Sequence, residues 1–250
     1  MVAVDFRDVL ARARKQKQKT GTAQLDVSRA LALLKHRAED RSVPSPQTLA
    51  AKRLQGLSYC SSFISPQEEA ALLTCIRASV ERPWTKASGR RIQNWGGEPG
   101  RAEAEALPEF LQTLVHRLVA AGVYAPEVAP NHCLINEYTG GSGIPAHDDG
   151  PLYVPPVATI SLGGSVVINF ITHSGDGDQP LITKVLLQQG CLLVVDGAAY
   201  KDSMHEILAQ EADVIDNHCC NAALLNVAEG DVIKRPQCRH SLVFVHKRAS

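Results

Sequence analysis

The stretch "NEYTGGSGIPAHDDG", residues 136–150, sets one histidine ahead of two aspartates: His147, Asp148 and Asp149. Two histidines and one carboxylate on one face of an ion make the non-haem Fe(II) site that leaves the opposite positions open for substrate and oxygen. Along a strand, residues i and i+2 lie about 7 Å apart and point to the same side, whereas i+1 points to the other. That parity pairs His147 with Asp149 and turns Asp148 away. The pair alone is weak evidence, because histidine and aspartate fall at this spacing by chance. A distal histidine is required. "GCLLVVDGAAYKDSMHEI" offers His205, after an apolar strand over Cys191–Val195 and a glycine turn. His218, in the polar "DNHCCN", competes for the role. His240 and His246, on the last apolar run, have a plainer reading as core or surface histidines.

An iron site of this kind needs a two-electron reductant to activate oxygen. A dicarboxylate co-substrate would need a cation at its far end, and arginine meets a carboxylate with a two-pronged hydrogen bond that lysine cannot reproduce. "CRHSLVFVHKR" offers Arg239 at the start of the final strand. Alone it would pass for a strand-edge surface charge. Its weight comes from following His-x-Asp and a second histidine in order.

These side chains must be held by strands, and the second half of the chain supplies them. "HCLINEY", "VATISLGGSVVINFI", "TKVLLQQGCLLVVDG" and "HSLVFVHK" are β-branched and apolar runs bounded by turn residues. Helices precede them. Ser65, Pro66 and Glu68 form a capping box with proline at the first helical position, ahead of an apolar face of Ala70, Leu72, Leu73 and Ile76. Residues 106–124 carry Leu107, Phe110, Leu111, Leu114, Leu118 and Val119 at helical spacing. Helices followed by strands predict an α+β fold, with helices laid against a sheet or barrel.

The ordered set of motifs resembles the AlkB family of Fe(II)- and 2-oxoglutarate-dependent dioxygenases, and within it the branch of the sixth homologue. The carrying segments are "NEY" at 136–138, "HDDGPLY" at 147–153, "ISLG" at 160–163, "AYKDSMHEI" at 199–207 and "RHSLVF" at 239–244, with "IQNWGG" at 92–97 ahead of them. The match spans roughly residues 57–248. The resemblance implies a double-stranded β-helix, or jelly roll, with N-terminal helices packed against it. It implies His147, Asp149 and His205 as iron ligands, and Asn136, Tyr138, Arg239 and Ser241 as contacts to 2-oxoglutarate. It also implies a nucleotide-recognition lid around Arg90–Gly97, where Trp95 would stack on a flipped base. The activity it implies is oxidative demethylation of N-methylated nucleobases in DNA or RNA. Two rivals stand beside this: oxidation of a protein side chain or small molecule, and a low-activity module that binds modified RNA. The chain departs from the family at Val245, where many members carry a second arginine, and in the long connection between His205 and Arg239.

Residues 1–56 hold twelve Lys/Arg against five Asp/Glu, and the remainder holds fourteen against twenty-one. This divides the chain into a basic extension and linker, 1–56, and a dioxygenase domain, 57–250. The cluster Arg12, Arg14, Lys15, Lys17 and Lys19 could contact phosphates or remain solvated charge. Seven cysteines in no ordered spacing read as reduced thiols. No leader-like or membrane-spanning run is present, so the expectation is a monomer of cytoplasm and nucleus that binds nucleic acid and no membrane.

Overall fold

The computed structural model describes residues 26–36, 43–51, 53–97, 105–173 and 180–248. The basic cluster from Arg12 to Lys19 lies outside them. Along the chain come helix α1 over 26–36, strands β1 (Gln47–Thr48) and β2 (Leu57–Cys60), helix α2 (Pro66–Ala78), the hairpin β3 (Thr85–Ala87) and β4 (Arg90–Trp95), and helix α3 (Glu109–Ala120). Then follow β5 (His132–Thr139), β6 (Ile144–His147), β7 (Tyr153–Leu162), β8 (Val166–Thr172), β9 (Leu181–Leu187) and β10 (Leu192–Val195). After the short helix α4 (Gly197–Lys201) come β11 (Ser203–Ile207), β12 (Ala212–Val214), β13 (Val232–Lys234) and β14 (Cys238–Lys247).

Two antiparallel sheets face each other. The larger has the order β1-β2-β10-β7-β14-β5-β4-β3, the smaller β6-β11-β8-β9. This is the jelly-roll core with helices on one side. β14 sits centrally between β7 and β5, paired over most of its length with both. Strand alternation sends its residues to two different places. Leu242 and Phe244 join the core beneath the helices, with Leu72, Ile76, Phe110, Leu111 and Leu118. Arg239, Ser241 and Val243 face the space between the sheets. β10 divides in the same way, with Leu192 and Val194 toward the helices and Leu193 and Val195 toward the smaller sheet.

The capping box at α2 is present. The Ser65 hydroxyl accepts from the Glu68 backbone N–H, and the Glu68 carboxylate accepts from the Ser65 N–H at 2.8 Å. Glu68 also pairs with Arg117 of α3, locking the two helices together. The buried face of α2 is Ala71, Leu72, Cys75 and Ile76, with Leu73 half-buried and Ala70 exposed. The stripe is thus rotated from the one expected, because Glu68 and Glu69 turn inward to bind partners. α3 begins at Glu109, since the Pro108 ring clashes with a helical conformation at Leu107 and Pro108 itself stands extended as the N-cap.

The packed body also reaches further upstream than Leu57. Ala30 and Leu34 of α1 are buried among the helices. β1 pairs with β2, and Leu49 and Leu54 are buried with the inter-sheet core. Within the segment 43–50, read from its prolines as linker, Gln47–Thr48 therefore forms the edge strand of the larger sheet. None of the described helices is long and apolar enough to cross a membrane.

Candidate metal and co-substrate site

His205 on β11 and His147 at the end of β6 are direct cross-strand partners. Their rings lie 4.4 Å apart, and the Asp149 carboxylate comes to 3.9 Å from His205 Nε2. One ligand atom from each of these three residues lies within 4.8 Å of the others. β6 ends at His147, so Asp149 is placed by the turn after the strand rather than by the strand itself. The alternation nevertheless persists through that turn. Asp148 points away and binds the His173 ring at 2.7 Å, both groups being about half exposed. The turn is held from outside by Tyr200 of α4, whose hydroxyl reaches the Gly150 and Tyr153 carbonyl oxygens at 2.8 and 3.1 Å.

The protonation states suit a cation. His147 Nδ1 faces the Pro145 carbonyl at 2.8 Å, a contact in which Nδ1 donates, so in the neutral tautomer that fits it the lone pair is on Nε2. Burial pushes the His205 pKa below its ordinary value; His147 lowers it further and Asp149 pulls the other way. That direction favours the neutral ring, the form that can offer a lone pair to a cation.

Deeper in the same pocket stand Asn136 and Tyr138 of β5 and Arg239 and Ser241 of β14. They form two cross-strand pairs: Ser241 opposite Asn136 and Arg239 opposite Tyr138. Arg239 is 4% exposed, one of its terminal nitrogens donates to Ser161 Oγ at 2.8 Å, and its Nε has no partner among the described residues. No carboxylate among those residues is within ion-pair distance of it. A buried guanidinium in that state is costly unless something anionic completes it. The donor set thus fits both groups: a 2-His-1-carboxylate cluster for a divalent ion, and a buried cation for a carboxylate. Ile144, Ile168, Leu187, Val195 and Ile207 supply apolar walls.

The chain belongs to the 2OG-Fe(II) oxygenase superfamily. Residues 79–244 match that family's model. The probable RNA/DNA demethylase ALKBH6 of Danio rerio is 36% identical over 198 residues, covering 75% of this chain and 84% of that protein. The RNA demethylase ALKBH9B of Arabidopsis thaliana is 31% identical over 108 residues, covering 41% of this chain and 21% of the relative. The solved structure of OsALKBH1 shares 16% identity at a TM-score of 0.49, over 76% of this chain and 96% of that one. The protein is accordingly a 2-oxoglutarate-dependent dioxygenase that uses Fe(II) and 2-oxoglutarate.

Other sequence candidates for this oxygenase's site fall elsewhere. Trp95 is buried at 5% exposure, edge-on to Phe110 and beneath the Arg82 guanidinium. It packs under α3 and does not line the pocket, so it is not placed to stack on a base. Its register partner is Cys133, which faces the helices. His218 is exposed beside Asp216, on a segment that runs along the edge of β9. His246 is held by the Ala129 carbonyl. Val245 is buried. Arg90, seen in sequence only as the start of the lid segment, does line the pocket, and its Nε donates to Asn136 Oδ1 at 2.7 Å. Its parity could have revealed it: 90 and 95 differ by an odd number, so on one strand they cannot share a face.

A second cluster of ligand-type atoms, Glu137, Cys238 and His240, lies on the outer face of β5 and β14. Its carboxylate is already engaged. Arg91 binds both oxygens at 2.5 and 2.8 Å, and His240 Nε2 lies 3.2 Å from one of them. Arg91 in turn lies over the Trp84 ring. This is an ion-pair cluster with its charge balanced.

Proposed function

We propose that this oxygenase demethylates N-methylated nucleobases in DNA or RNA. The observation that carries the reading is the convergence of His147, Asp149 and His205 with the carboxylate-seeking Arg239 in one apolar-walled pocket. The nucleic-acid substrate class is supported by the names borne by the relatives from zebrafish and Arabidopsis. When bound, iron and 2-oxoglutarate would activate dioxygen, one oxygen atom going into the succinate left by decarboxylation and the other into hydroxylation of an N-methyl group, whose hydroxymethyl product breaks down to the free amine and formaldehyde.

The chain's own residues do the holding and shaping. His147 Nε2, the Asp149 carboxylate and His205 take one face of the metal. Arg239 takes the remote carboxylate of 2-oxoglutarate by charge-assisted hydrogen bonds, each worth about 1.5–3 kcal/mol when sheltered. Asn136, Tyr138 and Ser241 orient the co-substrate from the same sheet. The apolar walls keep water from the reacting centre and strengthen each polar contact inside.

The test is mass spectrometry of single- and double-stranded DNA and RNA oligonucleotides carrying different N-methyl bases, each incubated with protein, Fe(II) and 2-oxoglutarate. Methyl loss and formaldehyde release that vanish in Asp149→Ala support the reading. Turnover of 2-oxoglutarate with methylated peptides but with no oligonucleotide would overturn it.

A further inference from the structure

We propose that Arg90 is a positioning residue for the co-substrate: it fixes the Asn136 side-chain amide in the one orientation that offers a hydrogen-bond donor to 2-oxoglutarate. The inference rests on the assignment of Asn136 to the co-substrate.

Asn136 is 4% exposed, and its amide has two orientations of nearly equal shape. What selects one is its neighbours. Arg90 Nε is a donor only, and it meets Oδ1 at 2.7 Å. That forces Nδ2 to the other side, where it donates to Ser241 Oγ at 3.2 Å. The second Nδ2 hydrogen has no partner among the described residues. It is the donor left for an anion in the pocket. Ser241 cannot make the choice alone, because a hydroxyl both donates and accepts and would satisfy either face of the amide. Arginine has no acceptor and admits only one answer.

The backbone explains why Arg90 reaches this point. Ile92 and Asn136 are register partners on β4 and β5, so Arg90, two residues earlier, shares their face and approaches Asn136 along the diagonal. Its terminal Nη1 donates to the Ser88 carbonyl at 3.1 Å, anchoring the guanidinium to the turn of its own hairpin. Arg91 points to the other face, where it binds Glu137. The two arginines thus serve opposite sides of the sheet. Without Arg90, the amide is free to present Oδ1 to the co-substrate, replacing an attraction with oxygen–oxygen repulsion.

The experiment is calorimetric titration of 2-oxoglutarate into anaerobic Mn(II)-loaded full-length protein, for wild type, Arg90→Met, Asn136→Ala and the double variant. The expected result for Arg90→Met is a Kd raised about tenfold or more, with Mn(II) affinity and the melting temperature unchanged. In the Asn136→Ala background, Arg90→Met should add less than about a twofold further change, because the arginine acts through the amide. Fully multiplicative losses would overturn the proposal and give Arg90 a direct contact or a long-range charge effect. An unaltered Kd in Arg90→Met, with Asn136→Ala weakened, would remove the arginine's role and leave the co-substrate site standing. An unaltered Kd in Asn136→Ala would remove the co-substrate assignment itself, and the proposal with it.

Discussion

Replacing Arg239 with methionine should separate the stability of the fold from the use of the pocket. Arg239 is 4% exposed, and its only hydrogen bond to protein among the described residues is the one to Ser161. Burial pulls its pKa below the ordinary guanidinium value. Desolvating such a charge costs on the order of several kcal/mol, against about 1.5–3 kcal/mol from one charge-assisted hydrogen bond. Methionine keeps most of the volume and removes the charge. The variant without co-substrate should therefore melt within about 2 °C of wild type, or above it. Binding is the opposite case. Two lost charge-assisted hydrogen bonds at about 1.5–3 kcal/mol each weaken 2-oxoglutarate by roughly a hundredfold to ten-thousandfold. In wild type, 2-oxoglutarate at about a hundred times its Kd adds about 2.7 kcal/mol, or roughly 5–10 °C in Tm for a chain of this size. Arg239→Met should lose that shift almost entirely. The assay is differential scanning fluorimetry with Mn(II), with and without 2-oxoglutarate, under anaerobic conditions. A variant that melts far below wild type and keeps its 2-oxoglutarate shift would refute both halves of the reasoning.

Three further outcomes are expected. Asp149→Ala should lose Mn(II) binding by equilibrium dialysis, whereas Asp148→Ala, which breaks only the exposed contact to His173, should retain it within about threefold; the reverse order would move the carboxylate ligand. Trp95→Ala should destabilise the fold by about 3–5 kcal/mol in urea titration and leave 2-oxoglutarate affinity unchanged; an unaltered stability with selective loss of oligonucleotide binding would return it to a substrate role. Burial alone raises the Glu68 carboxyl, but the Ser65 N–H and hydroxyl and the Arg117 guanidinium outweigh it and hold the group below the usual carboxylate range. A depressed folded pKa means stability present at neutral pH and lost as pH falls through that value. Glu68→Gln should thus cost about 3 kcal/mol at pH 7, with the gap to wild type closing in acid; a gap constant with pH would refute the linkage.

Much of the site was legible because strand parity is local. Once the resemblance has named them, Asn136 with Tyr138 and Arg239 with Ser241 share a face by alternation within single strands, and the same parity sets Asp148 apart from Asp149 although both lie in the turn after β6. What could not be read was which strands pair within each sheet, and in what register. That β11 lies against β6, bringing His205 opposite His147, depends on long-range register that no local pattern encodes. Arg90 gained its partner in the same way, through the register of β4 on β5. Trp95 misled for a different reason: its lid role came from the resemblance alone, whereas β4 is an internal strand with one face under α3. The stripe on α2 rotated because inward-facing Glu68 and Glu69 bind partners across the fold, which hydropathy scores as outward.

The glycines of "TGGSG" have a consequence beyond making a turn. A Cβ on Gly143 would sit 2.0 Å from the Ile207 carbonyl oxygen, and one on Gly89, at the tip of the β3–β4 hairpin, 2.2 Å from the Gly143 oxygen. Three backbones are therefore stacked without side chains between them: the hairpin tip, the turn joining β5 to β6, and the end of the strand that carries His205. Such a stack has no slack. Variation that retunes what enters the pocket is free to act through side chains along the hairpin's open edge. Lengthening its tip, or giving it bulk there, would press directly on the spacing of His147, Asp149 and His205, so in this chain a change of selectivity at the tip is tethered to the geometry of that cluster.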